Sequence, residues 1–428
     1  MIGGGLMGSS TAWQLSKYGQ RVLLIEQQDS IYTFGSSFGD ARISRSLGPK
    51  NDIFSYLQQT SVNETQKLIE YLNEAVTGKI HEMEDIYTTS PVTYIYYRSQ
   101  LGEIETLLDG QTDKYEYASD PEKALQMFGM EIPDTAVVIR EFKQYSGTLN
   151  PKDLIAKLHD GIKMAGNRIR YNEKVTSLKR VNGGYEIEIT NSKTGKIEQL
   201  LSKKVVAAAG PYNGRLVNEI APYFEGLITP KRLFLAFLKI NKHTYENLTS
   251  EQKKKLEEFY PIANMNSEIF YSMIEKSDEE GQPILKVGGH FLRTDIDDLN
   301  AVWQKELSSQ EIAWSKENTA NYLRWLNLPV KAKDLEYSSG YSCVYSLTGS
   351  EIPYVTNGLQ DGNEVDSNFV LVGGMSGIGA KGSLTYGLIA ADLLLNKNDT
   401  SVMYQKSRQE LGSDRLLKDI QQTDSVKN

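Results

Sequence analysis

The sequence predicts an α/β fold of two intertwined domains: a parallel nucleotide-binding sheet, and inserted blocks that build an α+β domain on an antiparallel sheet. Three observations carry this expectation. A glycine-rich turn opens the chain and runs straight into a helix of small residues. Two more apolar strands, each ending in a glycine turn, stand in the middle and near the end of the chain. Between these segments lie long blocks of alternating apolar residues rich in tyrosine. At 428 residues the chain exceeds one ordinary hydrophobic core, so two domains are the natural expectation.

The opening turn, Gly3-Gly4-Gly5-Leu6-Met7-Gly8, fits G-x-G-x-x-G and is followed by Ser9-Ser10-Thr11-Ala12-Trp13-Gln14-Leu15. Gly19 then ends the helix, since glycine readily takes the left-handed cap. Next, Arg21-Val22-Leu23-Leu24-Ile25 reads as a buried strand with Glu26 at its end, 18 positions after Gly8. That spacing suits an acid that accepts from ribose hydroxyls, while the glycines and the helix N-terminus cradle a pyrophosphate. Gly3, Gly5, Leu6, Met7, Gly8 and Glu26 are therefore candidate nucleotide-binding residues of a Rossmann-like domain. Only Met1 and Ile2 precede Gly3, whereas a strand usually needs about 5–6 residues. The expectation is a central first strand that is truncated in the sequence as read.

Further along, Asn191 to Gly195 reads as the turn of a hairpin between Tyr185-Glu186-Ile187-Glu188-Ile189 and Ile197-Glu198-Gln199-Leu200-Leu201. Lys204-Val205-Val206-Ala207-Ala208-Ala209-Gly210-Pro211 is an apolar strand entering a small-residue turn. Phe369-Val370-Leu371-Val372-Gly373-Gly374 repeats the pattern, continuing through Met375 to Lys381 into an amphipathic helix over 384–395. The nucleotide-binding domain is thus expected to be discontinuous, over 1–50, 146–220 and 336–428, with 51–145 and 221–335 forming the substrate domain. In the second inserted block, Leu233 to Ile240, Ile269 to Ile274 and Ile284 to Gly289 read as strands of an antiparallel sheet. Ser308 and Glu311 form a capping box for a helix that covers part of it.

Composition excludes several classes of function. A net charge of −8 offers no basic footprint for nucleic acid. No apolar run reaches the roughly 18 residues of a membrane span, and no charged leader precedes an apolar stretch at the start. Cys343 is the only cysteine, so no disulfide can form within the chain. These features predict a cytoplasmic protein without nucleic-acid or membrane partners. With four histidines and no His/Cys cluster at ligand spacing, no metal site is expected.

Several segments, in order and spanning nearly the whole chain, resemble the monomeric sarcosine oxidase family of the glycine and D-amino-acid oxidase superfamily. They are the glycine-rich start, Gly35-Ser36-Ser37-Phe38-Gly39-Asp40-Ala41-Arg42-Ile43-Ser44-Arg45, Ala209-Gly210-Pro211-Tyr212-Asn213, Ile284-Leu285-Lys286-Val287-Gly288-Gly289-His290, Tyr341-Ser342-Cys343-Val344-Tyr345-Ser346-Leu347-Thr348 and Ser376-Gly377-Ile378-Gly379-Ala380-Lys381. The resemblance implies an FAD-dependent amine oxidoreductase, with Val175, Gly210, Gly377 and Gly379 joining the cofactor-binding set. It implies a thioether between Cys343 and the flavin, chemistry suited to a nucleophilic sulfur, although a lone cysteine also packs well as a small hydrophobe. Arg45 and Lys381 match positions that bind the substrate carboxylate, a planar fork and a mobile point charge respectively. Arg42 and Lys381 match positions beside the flavin. Lys286 matches a lysine that promotes the reaction with oxygen by stabilising negative charge as it develops. His290 matches an active-site histidine, and strand alternation places Lys286, Gly288 and His290 on one face. Tyr271 and Tyr345 are expected to frame the amine.

The implied reaction is hydride transfer from a secondary-amine amino acid, such as sarcosine or another N-methyl amino acid, to the flavin. Imine hydrolysis and reoxidation by O2, giving hydrogen peroxide, complete the cycle. The partners are then the amine and O2, and the chain is expected to act as a monomer. The helix starting near Gly382 would aim its positive end at the ligand. Phe38, Ala41, Ser44, Ile378 and Thr348-Gly349-Ser350 depart from the family pattern and alter the expected pocket wall. Three alternatives stay open: a cyclic imino acid oxidase of the pipecolate or proline type, a dehydrogenase of the same fold using another acceptor, and a flavin-free, non-catalytic relative.

Overall fold

The structure is a computed structural model that describes residues 1–30, 34–47, 51–74, 81–265, 268–304, 306–360 and 364–427. Its nucleotide-binding sheet is built from two halves. In one, Leu23–Ile25 pairs in parallel with Arg168–Arg170. In the other, Val205–Ala207 pairs in parallel with Val365–Gly373, which carries Tyr354–Leu359 as an antiparallel neighbour. Ile2 joins them, bridged in parallel to Ile25 on one side and Ala207 on the other. The Ile2 N–H donates to the Val206 carbonyl at 2.9 Å, and the Ala208 N–H donates to the Ile2 carbonyl at 2.8 Å. On the opposite edge the Gly3 N–H donates to the Ile25 carbonyl at 2.9 Å. The central position of the sheet is thus held by residues 1–3 as a bridge.

The glycines here are required by close approach. Gly3 has φ +93°, and a Cβ on it would stand 2.4 Å from the Ala208 carbonyl oxygen. A Cβ on Gly8 would stand 1.8 Å from the Gly3 carbonyl oxygen, so Gly8 lets the helix Leu6–Lys17 pack onto the turn. That helix lies against Ser383–Leu395, where a Cβ on Gly387 would approach the Ser10 carbonyl carbon to 2.6 Å. The helix Ser383–Leu395 corrects one expectation: it is buried on nearly every side rather than amphipathic, being covered by Leu6–Lys17 and by a third helix, Asn51–Glu74.

Asn51–Glu74 corrects another. It was expected in the substrate domain, but Ile53, Phe54 and Leu57 pack with Val206, Val370 and Ile389 against the nucleotide-binding sheet. The Gln14 side chain donates to Glu64 at 2.7 Å, and the Thr385 hydroxyl donates to the Leu57 carbonyl at 2.7 Å. An apolar stripe on a helix shows that it is covered, but not by which sheet. The expected hairpin is present with Tyr185 opposite Ser202, extended by Glu173–Val181 into a three-stranded antiparallel sheet.

The second domain is a nine-stranded sheet among the described residues. Thr229–Ile240 pairs antiparallel with Pro283–Gly288, which pairs antiparallel with Phe270–Ser277. The other edge of Thr229–Ile240 takes the long strand Leu335–Leu347, with Leu233 opposite Cys343. The strand bearing Cys343 therefore belongs to this sheet, which corrects the boundary drawn at 336. The sheet is also not wholly antiparallel, because Ile262–Asn264 runs parallel to Val92–Tyr97. These two strands come from separate inserted blocks, so no hairpin turn dictates their relative direction. The helix Ser309–Trp325 starts at the expected capping box: the Glu311 N–H donates to the Ser308 hydroxyl at 3.2 Å, and the Ser308 N–H donates back to Glu311 at 2.7 Å. Its Ala320, Tyr322 and Leu323 pack with Ala236, Leu238 and Val287 of the sheet.

Gly8→Ala is expected to destabilise the fold by about 1–3 kcal/mol or more, because backbone, not a flexible side-chain end, blocks the added methyl. Gly102→Ala is the control: a Cβ there meets nothing within 4 Å. It should leave stability unchanged or raise it by up to about 1 kcal/mol. Thermal melts of both variants against the parent chain check the contrast.

Candidate active site

A cavity of about 660 Å³ lies between the two sheets, a size within the range of sites for small molecules and cofactors. One wall is made by the carboxyl ends of the parallel strands, where open α/β sheets bind their ligands: Ile25 and Glu26, Ala208 and Ala209, Val372 and Gly373. The opposite wall is made by strands of the large sheet through Leu235, Met273, Lys286 and Cys343.

Nearly every residue singled out from the sequence meets in this one space. Gly3, Gly5, Leu6, Met7, Glu26, Arg42, Arg45, Val175, Gly210, Tyr271, Lys286, His290, Cys343, Tyr345, Gly377, Gly379 and Lys381 all line it. Gly8 is the exception, a correction that follows from its packing against Gly3. His290 lies just beyond the strand Pro283–Gly288 rather than within it, yet still reaches the cavity.

At the nucleotide end, Gly5 stands at the N-cap of Leu6–Lys17 and offers no capping side chain. The Leu6 N–H donates to the Ser37 hydroxyl at 3.2 Å. Glu26 is buried at the end of its strand and accepts from the Gly4 N–H at 2.6 Å and the Gln28 N–H at 2.8 Å. A glycine turn that borders the cavity, a helix N-terminus whose N-cap residue has no side chain and a fixed carboxylate one strand away together fit the expected FAD.

At the inner end, three groups of residues converge. The first surrounds Lys286, whose ammonium donates to Glu275 at 2.8 Å and to the Ala41 carbonyl at 2.9 Å. Burial and the Arg42 guanidinium lower its pKa to about 7 while Glu275 opposes them. Cys343 lies beside these cations; burial raises its pKa, and Arg42 and Lys286 act in the other direction.

The second group joins Arg45, Lys381 and Glu141. The Arg45 guanidinium donates to the Leu47 carbonyl at 2.6 Å and lies 5.4 Å from the Tyr94 ring centroid. Lys381 is 7% exposed, and its ammonium has no hydrogen bond or ion pair among the described residues, only the Phe54 ring at 5.7 Å. Burial and then Arg45 hold its pKa well below the ordinary lysine value. Glu141, fully buried, accepts from the Ser46 N–H at 2.8 Å and the Tyr94 hydroxyl at 2.6 Å.

The third group is aromatic. Tyr271 and Tyr345 both border the cavity, and His290 meets Tyr345 edge-on with ring centroids 6.1 Å apart. Glycines make room for both rings. A Cβ on Gly288 would stand 2.4 Å from the Tyr271 hydroxyl, and one on Gly377 2.4 Å from the Tyr345 ring.

Glu275 and Glu141 were not among the expected residues. Alternation from Tyr271 through Met273 does put Glu275 on the cavity face, so a signal exists in the sequence. A glutamate near the end of a strand otherwise reads as solvent-facing. The β-bulge that seats Glu275, between Ile274 and Lys276, has no local mark.

Comparison with known proteins agrees with the geometry. The model of the family described as DAO, FAD dependent oxidoreductase, matches residues 1–393. A probable sarcosine oxidase of Arabidopsis thaliana is 25% identical over 404 residues, covering 92% of this chain and 87% of its own. A monomeric sarcosine oxidase of a Bacillus species is 22% identical, covering 92% of this chain and 91% of its own. Among solved structures, the open form of a point mutant of NikD, an unusual amino acid oxidase, superimposes with a TM-score of 0.70 at 18% identity. That match covers 96% of this chain and 95% of the other.

His290 provides a direct test of the site's desolvation. Burial, with Arg293 acting in the same direction, lowers its pKa from the ordinary 6.5 to about 4. The ring is thus neutral above about pH 5, and because its folded pKa is depressed, its contribution to stability is lost as pH falls from about 6.5 towards 4. In isotope-labelled protein the His290 ring signals should stay those of neutral imidazole down to about pH 5. A His290 titration centred near 6.5 would contradict the buried placement.

Proposed function

We propose, since the chain belongs to the DAO family of FAD-dependent oxidoreductases, that it oxidises a small amino acid carrying a secondary amine, with oxygen as the electron acceptor. The observation that carries the substrate class is the charge balance at the inner end of the cavity. Arg45 and Lys381 present two cations there, and Glu141, the buried carboxylate beside them, is already hydrogen-bonded to Ser46 and Tyr94. A buried ammonium without a counter-ion is costly, so this end of the site favours an entering carboxylate. The sarcosine oxidase names of the relatives and the sequence resemblance agree with an N-methyl amino acid as the class.

When bound, FAD supplies the two-electron acceptor for the C–H bond next to the amine nitrogen. Arg45 orients the carboxylate with its planar guanidinium, and Lys381 adds a point charge whose protonated form the approaching carboxylate favours. Tyr271 and Tyr345 form the wall at which the amine is held, with neutral His290 behind Tyr345. With ligands bound, the aromatic side chains at the inner end would exclude water from around these contacts and strengthen them. Glu26 and the glycine turn hold the dinucleotide, and Val175 and Gly210 line its path. Cys343 is seated to attach the flavin covalently, beside the two cations that favour its thiolate. Lys286 stands where positive charge assists electron transfer to oxygen. The chain works as a monomer in the cytoplasm.

Two measurements test this reading. Acid-precipitated protein should remain yellow, and Cys343→Ala should release all of its flavin on denaturation; flavin that washes freely from the parent protein with acid would refute the covalent link. In the second, Arg45→Ala or Lys381→Ala should weaken binding of N-methyl amino acids by about 1.5–3 kcal/mol, the worth of a hydrogen bond to a charged group. Amines lacking the carboxylate should be nearly unaffected. Equal losses for both substrate sets would refute the carboxylate anchor.

A further inference from the structure

Lys286 does not enter the cavity as a lone cation. Its partner Glu275 is equally deep: the two side chains are 1% and 4% exposed, with the ammonium and carboxylate 2.8 Å apart. Glu275 is the extra residue of a β-bulge, since Ile274 pairs with Leu285 and Lys276 with Ile284. The bulge turns its carboxylate back over the neighbouring strand towards Lys286. The second carboxylate oxygen accepts from the Asp40 N–H at 2.7 Å, and Lys286 itself donates to the Ala41 carbonyl at 2.9 Å. Between these contacts lies Gly39, at φ +113°, where a Cβ would come within 3.1 Å of the Lys286 ammonium and 3.2 Å of Glu275. The pair therefore clamps the turn that carries Arg42. An ammonium has three donors; two are held by Glu275 and Ala41, and the third is left for the cavity.

We propose that Glu275 is a positioning residue for the reaction with oxygen: its buried carboxylate favours the ammonium form of Lys286 and fixes its remaining donor towards the cavity, so that the oxygen step depends on a Glu–Lys pair. The assignment rests on the oxidase reading above. Several groups face Lys286. Glu275 comes from Phe270–Ser277, Arg42 from Arg42–Ser44 and Cys343 from Leu335–Leu347. Thr229–Ile240 contributes the uncharged Phe237 ring at 5.8 Å. Asp40 places its carboxylate 3.9 Å from Lys152. Of these, Glu275 favours the cation by direct hydrogen bond, whereas Arg42 and burial oppose it. Removing the carboxylate charge leaves Lys286 neutral at a pH where it is now charged.

Glu275→Gln is the informative variant, because an amide oxygen still accepts from the Asp40 N–H. Holoprotein reduced with dithionite is mixed with oxygenated buffer from pH 6 to 9, for the parent, Glu275→Gln, Lys286→Met and the double variant. Reoxidation of Glu275→Gln should slow about tenfold or more at pH 8 and recover towards the parent rate at pH 6. Its pH midpoint should shift down by about one unit or more, the effect of losing an adjacent opposite charge. In the Lys286→Met background, Glu275→Gln should change nothing further. Thermal melting of the same four holoproteins gives a second readout independent of turnover. Each single variant should lose more stability than additivity with the double allows, because each leaves one member of the buried pair without its partner, a cost that the double removes. A Glu275→Gln profile that superimposes on the parent, or an equal slowing in the Lys286→Met background, overturns the assignment alone. A parent holoprotein that oxygen does not reoxidise overturns the oxidase reading and the assignment with it.

Discussion

The nucleotide-binding sheet depends on one peptide. Its two halves are bridged at Ile2, through hydrogen bonds to Val206 and Ala208 on one side and through Gly3 to Ile25 on the other. The features of the cavity's nucleotide wall hang from this seam. Gly3 turns off it at a positive φ, the helix Leu6–Lys17 follows, and Gly8 lets that helix press against the Gly3 carbonyl. On the adjoining strands, Glu26 continues from Ile25, and Ala208 leads into the turn at Gly210. Two contacts without room for a Cβ, at Gly3 and Gly8, therefore set the distance between carboxylate, helix end and turn. The chemistry of the pocket inherits that spacing.

The large sheet works by a different constraint, which is burial. Its strands present Lys286, Tyr271 and Cys343 to a space from which water is largely excluded, so every charge there has to be answered locally. The Arg232–Glu311 pair shows the structural version of such an answer: the carboxylate that completes the helix capping box also meets a buried guanidinium. The Lys286–Glu275 pair has the same form but borders the cavity. Breaking the Arg232–Glu311 pair by removing one partner should cost about 3–5 kcal/mol, since the remaining charge stays buried.

Much of this was legible in the sequence because its signals are local. The glycine turn with Glu26 18 positions after Gly8, the hairpin around Asn191, and the box at Ser308 and Glu311 each need only a few neighbouring residues to be recognised. The strand carrying Lys286 was legible for the same reason. What escaped depends on contacts between distant segments. Asn51–Glu74 shows an apolar stripe, but only the folded chain reveals that Phe54 and Leu57 meet Val206 and Ile389. The pairing of Ile262–Asn264 with Val92–Tyr97 joins two insertions whose relative direction no turn sets. Leu335–Leu347 leaves the nucleotide-binding part because its partner, Thr229–Ile240, lies about a hundred residues earlier. Glu275 escaped because a glutamate near a strand end reads as solvent-facing, and the bulge that seats it has no local mark.

The two buried lysines show how one side chain is given two tasks. Both lose hydration, and both lie near an arginine, Arg42 for Lys286 and Arg45 for Lys381, so both are driven towards the neutral form. They differ in what the protein supplies in return. Lys286 receives a carboxylate at hydrogen-bond distance, which favours its charged form before any ligand arrives. Lys381 receives an aromatic face and a carboxylate already engaged by Ser46 and Tyr94. Its charged form has no hydrogen-bonded carboxylate among the described residues. On the proposed function, a carboxylate entering between Arg45 and Lys381 would meet cations whose burial cost was met in folding, and would favour the charged form of Lys381. Glu275 beside one lysine, and no ion-pair partner beside the other among the described residues, set the two cations apart.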